Sequence, residues 1–163
     1  VNLRELLGRN PSASEKEFFV SQAIERIIDR SQSGSDILGN SFKPYTKEYA
    51  EEKGVSRNSV DMTLDGDMLR AIKRFRTSGG EISYGINGGV DAKKSFNHNT
   101  GDTLPKRRFF GLTKQDQKEI ARQIKNEPEL RRRTARQVRE ESRSRLLELV
   151  ESLSLEAPGD DKN

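Results

Sequence analysis

The chain has 163 residues, room for one domain of ordinary size plus extensions. Hydrophobic residues make up 31% and charged residues 34%, with mean hydropathy −0.91, so apolar material is scarce and part of the order is expected to come from partners. The formal charge is +4 with acids and bases interleaved, cysteine is absent and histidine occurs once, which excludes disulfides, thiolate chemistry, cysteine-ligated metals and two-histidine zinc motifs.

Residues 1–10 read as an N-terminal arm without the apolar segment of a signal peptide. Ser14-Glu15-Lys16-Glu17 has the S-x-x-E form of a capping box, and Phe19, Val20, Ala23, Ile24, Ile27 and Ile28 follow at helical spacing up to Ser33-Gly34. The spacing predicts an amphipathic helix over residues 15–32. Residues 34–44 read as an extended loop pinned by Ile37, Leu38 and Phe42, and Thr46 caps a short helix that runs through Lys53 and stops at Gly54. Asp65 or Asp67 caps a brief helix containing Met68, Leu69 and Ile72. The pattern then becomes period two over residues 73–77 and 81–86, with Ser78-Gly79-Gly80 between them, which predicts an antiparallel hairpin carrying Ile82, Tyr84 and Ile86 on one face.

Residues 91–103 hold too few apolar side chains to assign. Residues 104–112 read as a further strand with Phe109, Phe110 and Leu112 buried, and Thr113 caps a helix to Asn126. Pro128 suits the first position of a last helix, in which Leu130, Thr134, Val138, Ser142, Leu146, Leu149 and Leu153 form a narrow stripe. Such a helix, over residues 128–155, spans roughly 40 Å at 1.5 Å per residue. Its first half carries few apolar side chains, so it is expected to reach a neighbouring subunit rather than fold back on its own domain. The fold class is α+β: a small antiparallel sheet packed by an N-terminal amphipathic helix and shorter helices, with a long C-terminal helical extension. The expected division is a domain over 1–126, a helical extension over 127–155 and a disordered tail over 156–163.

No catalytic constellation stands out. His98 has no second imidazole to work with, and Asp61, Asp65 and Asp67, although close together, fit no ligand-loop pattern, so capping explains them better than a divalent cation does. Gly79-Gly80 and Gly88-Gly89 lack the strand-to-helix setting and the Lys-Ser/Thr of a phosphate loop. No cofactor, metal or catalytic residue is expected, and no apolar run approaches bilayer length. The basic clusters are Lys106-Arg107-Arg108 and Arg131-Arg132-Arg133, extended by Arg136, Arg139, Arg143 and Arg145. They can attract phosphates without reading sequence, or form a solvated face paired with Glu140, Glu141 and Glu148. A DNA-binding accessory protein using this helix is therefore the alternative reading.

Three stretches carry a resemblance. Gly39 to Thr46 with Tyr49-Ala50 and Lys53-Gly54, then Leu64 to Ile72, then Leu104 to Thr113 are similar in order and spacing to motifs of the virion morphogenesis family of tailed bacteriophages, the tail-completion or neck proteins. The chain departs from that pattern at residues 96–101 and at Arg108, which stands where the family carries proline. The resemblance implies a structural protein that forms a ring, hexameric or dodecameric, with copies of itself in the virion neck. Its further partners would be the head connector or stopper and the tail tube or tail terminator, with non-specific contact to packaged DNA and none to membrane. The interface candidates are Phe42, Tyr45, Tyr49, Arg107 and Arg108 from the motifs, and, from the C-terminal helix that the motif match does not cover, Arg131, Arg132, Arg133, Arg136, Val138, Leu146 and Leu149.

Overall fold

The computed structural model of the chain describes residues 1–62, 67–74, 82–86 and 88–155. Its organising element is α2 (Ala13–Gln32), against which the later helices pack. The capping box sits two residues earlier than the sequence reading placed it: the Ser12 hydroxyl accepts from the Glu15 amide at 3.1 Å, and the Ser12 amide donates to the Glu15 carboxylate at 2.7 Å. Both Ser12 and Ser14 open an S-x-x-E sequence. The earlier start wins because it leaves Ser14 free to donate to the Leu130 carbonyl at 2.7 Å and lets Arg9 neutralise the fully buried Glu15 at 2.7 Å. Phe19, Ala23, Ile24, Ile27 and Ile28 are buried as their spacing predicts.

The N-terminal arm is itself helical. Asn2 caps α1 (Leu3–Leu7), Gly8 ends it at φ 71°, and Leu3 and Leu7 are buried where α1 meets α6 (Lys114–Asn126). Thr46 caps α3 (Lys47–Lys53) and Gly54 ends it, as expected. After α4 (Asp67–Arg70), strand β1 (Ile72–Arg74) pairs antiparallel with β2 (Tyr84–Ile86) in the register Ile72 to Ile86 and Arg74 to Tyr84. Ile72 thus belongs to the sheet and not to the helix. The capping residue Asp65 and the turn Ser78-Gly79-Gly80 lie outside the described residues. The backbone of Val1 meets that of Ile82, with the Ile82 amide donating to the Val1 carbonyl at 3.1 Å.

The segment left unassigned contains a helix, α5 (Gly89–Thr100), which lacks a side-chain cap and keeps Phe96 61% exposed. The strand expected over residues 104–112 does not form. This stretch meets neighbours singly: Arg107 donates its amide to the His98 carbonyl at 2.7 Å, and the Arg108 carbonyl accepts from the Ile37 amide at 2.9 Å. It nevertheless delivers Phe109 to the core at 0% exposed, while Phe110 and Leu112 are only partly covered. Thr113 and Asp116 then form the capping box of α6.

The single C-terminal helix of the sequence reading is divided. Pro128–Arg131 is a 3-10 turn, and α7 (Ala135–Leu155) starts after Thr134, whose hydroxyl accepts from the Gln137 amide at 3.2 Å while its own amide donates to the Gln137 side chain at 2.9 Å. The expectation that this segment leaves its own domain is also corrected. Helix α7 lies along α2, with Val138 2% exposed, Ser142 buried beside it and Leu130 in the same core. The stripe is narrow, but one Val, one Ser and one Leu suffice because α2 already presents a continuous apolar face. A boundary at residue 126 therefore cuts through one hydrophobic core.

Candidate interaction site

The loop before α3 is shaped by Asp36, whose carboxylate accepts from the Leu38 amide at 2.8 Å and the Asn40 amide at 2.9 Å. Desolvation pushes this carboxyl up, but the bonds from Asn40 and Leu38 outweigh it and hold the group below the usual range. The tight turn lifts Leu38 into solvent, so only Ile37 and Phe42 of the three expected anchors are covered. Gly34, at φ 74°, passes so close to the Val60 carbonyl that a Cβ would sit 2.8 Å from its oxygen. That approach seats Phe42, whose amide donates to the Gly34 carbonyl at 2.7 Å.

Tyr45 is the centre of the site. Its hydroxyl donates to Asp61 at 3.2 Å, Lys53 pairs with the same carboxylate, and the Lys53 ammonium lies 5.1 Å from the Tyr45 ring centroid. On the other side the Arg107 guanidinium stands 5.3 Å from that centroid and donates to the Lys43 carbonyl at 3.0 Å. Tyr49 meets Tyr45 edge to face at 4.8 Å. Burial, then the Asp61 charge, push the Tyr45 phenol up to about 12, and burial lowers the Arg107 guanidinium from its ordinary value. Arg107 is 4% exposed, so it acts here as an internal strut and not as a surface charge. The structure thus brings Phe42, Tyr45, Tyr49 and Arg107 together and leaves Arg108 outside at the surface.

Beside Tyr49 and Arg107 opens a cleft of about 460 Å³, lined by Tyr45, Thr46, Tyr49, Met68, Lys94, His98 and Arg107 among others. Burial and then the nearby Arg107 charge lower the His98 imidazole to about 4, against a bond to the Pro105 backbone that pulls the other way. At neutral pH it is uncharged, and its Nδ1 has no hydrogen-bond partner among the described residues. The cleft offers an acceptor, two aromatic faces and cations. The Tyr45 hydroxyl is committed to Asp61 and Lys53.

Of the three carboxylates singled out in the sequence, only Asp61 has a described side chain. Asp61 serves Tyr45 and Lys53, Asp65 lies outside the described residues, and among the described residues no group of His, Asp or Glu could hold a metal ion. The basic C-terminal segment is largely neutralised within the chain. Arg131 faces Glu15 at 3.7 Å, Arg132 faces Glu129 at 2.9 Å, Arg133 pairs with Glu141, Arg136 faces Glu140 at 2.8 Å and Arg139 faces Glu17 at 2.8 Å. Val138 belongs to the core, while Leu146 and Leu149 are partly buried against it. Sequence reasoning missed Lys53 and Asp61 as partners of Tyr45, and Arg26 and Arg30 as partners of Asp116 at 3.3 and 3.2 Å. The Lys53 pairing joins residues eight positions apart across the short helix α3, whereas the Asp116 pairing joins residues far apart in sequence. Among the described residues no helix is long and apolar enough to cross a membrane. No family model matches the chain, and no curated protein or solved structure matches it.

Proposed function

We propose that the chain is a structural subunit of a tailed bacteriophage virion, forming a ring in the neck that joins the head connector to the tail. It works by packing and carries out no reaction. The observation that carries the reading is the meeting of two motif segments that the resemblance identifies independently. Arg107, from the third motif, is bonded to the Lys43 carbonyl and stacked on Tyr45 of the first, and the Arg108 carbonyl accepts from Ile37 just before the first. Residues more than sixty positions apart in sequence thus form one unit. A family of sequences would retain such motifs together because each holds the other in place.

In this role the Tyr45, Tyr49 and Arg107 unit is a rigid platform, and the surface around it meets neighbouring copies and the connector or tail terminator. The in-chain pairing of Arg131 to Arg139 favours this over the DNA-binding alternative, since charge already neutralised by Glu releases few counterions from DNA. The test is deletion of the gene from the genome that carries it, with the particles viewed by electron microscopy. Filled heads and finished tails should accumulate unjoined, and supplied protein should join them. Normal virions from the deletion would refute the proposal.

A further inference from the structure

A second groove, of about 630 Å³, runs between α2 and α7. Val20, Ile24 and Leu69 form its floor, and the exposed Leu147 stands at its end, 51% accessible. Its rim is basic: Arg70, Lys73, Arg139 and Arg143 surround it against the single carboxylate of Glu17. The Ser142 hydroxyl, buried in the wall, has no hydrogen-bond partner among the described residues.

The helix that forms this rim is polarised along its length. Arg136, Arg139, Arg143 and Arg145 lie in its first half, whereas its second half carries Glu148 and Glu151 with no Lys or Arg; in the sequence after the helix come Glu156, Asp160 and Asp161. Carboxylates towards the C-terminal end of a helix oppose the helix dipole, and the last turn of α7 has no basic residue to offset them. The same stretch is rich in Leu and Val. It therefore has the composition of a ligand for an apolar groove with a basic rim, and its acids are not explained by the helix that bears them.

We propose that the groove between α2 and α7 receives the acidic C-terminal half of α7 from a second copy of the chain. The two surfaces are different parts of one molecule, so the contact is head-to-tail and each copy keeps one groove and one helix end to offer. Repetition with a suitable rotation closes a ring. The contact names the self-partner of the proposed neck ring, and only the closure into a ring rests on that proposal.

The experiment measures self-association of the full chain by sedimentation and mass photometry. Lys73→Glu with Arg143→Glu reverses the rim at exposed positions that leave the Arg139 to Glu17 pair intact, and Glu148→Lys with Glu151→Lys reverses the helix end. Each double variant alone should associate on the order of tenfold or more weakly, because like charges then face each other. An equimolar mixture should recover the wild-type strength, since a reversed rim meets a reversed end and a native rim meets a native end. Recovery also shows that both variants are folded. Assemblies unaffected by either double variant would overturn this inference and leave the ring proposal standing. Charge-sensitive pairs that stop at a closed dimer would support the groove contact and overturn the ring. A chain that stays monomeric, with its own C-terminal segment occupying the groove, would overturn both.

Discussion

His98 is the only histidine in the chain, which makes its titration directly readable. Its folded value of about 4 lies well below the unfolded value near 6.5, chiefly through burial and secondarily through Arg107. The unfolded chain therefore binds the proton first. Stability from this group is fully present above about pH 6.5 and is lost as pH falls towards 4. Between about pH 7 and about pH 5 the loss amounts to roughly 2 kcal/mol if the whole shift is taken at face value, and to about 1 kcal/mol after discounting for the partly accessible imidazole. For a domain of this size that is a drop of about 2 to 4 °C in melting temperature. The assay is a pair of thermal melts at the two pH values for wild type and His98→Gln, which cannot charge. Glu25 and Asp29, both raised by burial, titrate in both proteins and cancel in the difference. Wild type should lose more stability than the variant, and the imidazole proton resonances should titrate near 4. A midpoint at or above 6 would show that the cleft is wetter than its lining implies and would refute the reasoning.

Other consequences follow from packing. Phe109→Ala should cost about 3 to 5 kcal/mol in urea unfolding, and Phe110→Ala less than about 2, because only the first ring is fully buried; a reversed order would displace Phe109 from the core. Asp116→Ala removes the carboxylate that accepts from the Thr113 amide in the α6 capping box and leaves Arg26 and Arg30 without their shared partner, so a loss of about 2 to 3 kcal/mol is expected by the same measurement. Truncation after Asn126 exposes α2 and removes Leu130 and Val138, worth about 3 to 6 kcal/mol of burial together, and the shortened chain should lose its cooperative melt. Binding to duplex DNA, measured by fluorescence anisotropy, should be weak with a shallow salt slope; a slope equal to several released counterions would restore the DNA-binding reading.

Elements with strong local signals were legible in the sequence. The apolar spacing of α2, the Thr46 to Gly54 bounds of α3 and the Thr113 start of α6 depend on caps and periodicity within a few residues. Helix α5 was not legible, because it has no side-chain cap and leaves its one Phe exposed, so neither signal exists. The segment over residues 104–112 misled in the opposite way. Its apolar run is that of a strand, yet its backbone bonds go singly to His98 and Ile37, and no sequence pattern distinguishes a ladder from such isolated contacts. The start of α7 was legible and overlooked, since Thr134-Ala135-Arg136-Gln137 is a capping box. The Tyr45 unit was half visible. The motifs named Tyr45, Tyr49 and Arg107 as interface candidates, but Tyr45 and Arg107 are buried against each other, and the Arg107 strut depends on a loop closure of more than sixty residues.

The division of α7 explains why its narrow stripe suggested a helix without an intrachain partner. A stripe of Val138 and Ser142 is too thin to hold an isolated helix, and it succeeds because α2 supplies most of the apolar surface and Glu17 supplies a buried carboxylate for Arg139. Beyond Leu146 that support thins: Leu147 is exposed, Leu149 is still partly buried against the core, and the charge changes from basic to acidic. The first half of the helix therefore belongs to folding, and the proposed contact assigns the second half to association. Substitutions at Val138 should act on the single chain at any concentration, whereas under the proposed contact substitutions beyond Leu146 should act between copies and depend on concentration. The two halves share one continuous backbone, so under the proposed contact firm docking of the first half would lower the ordering cost of each contact made by the second.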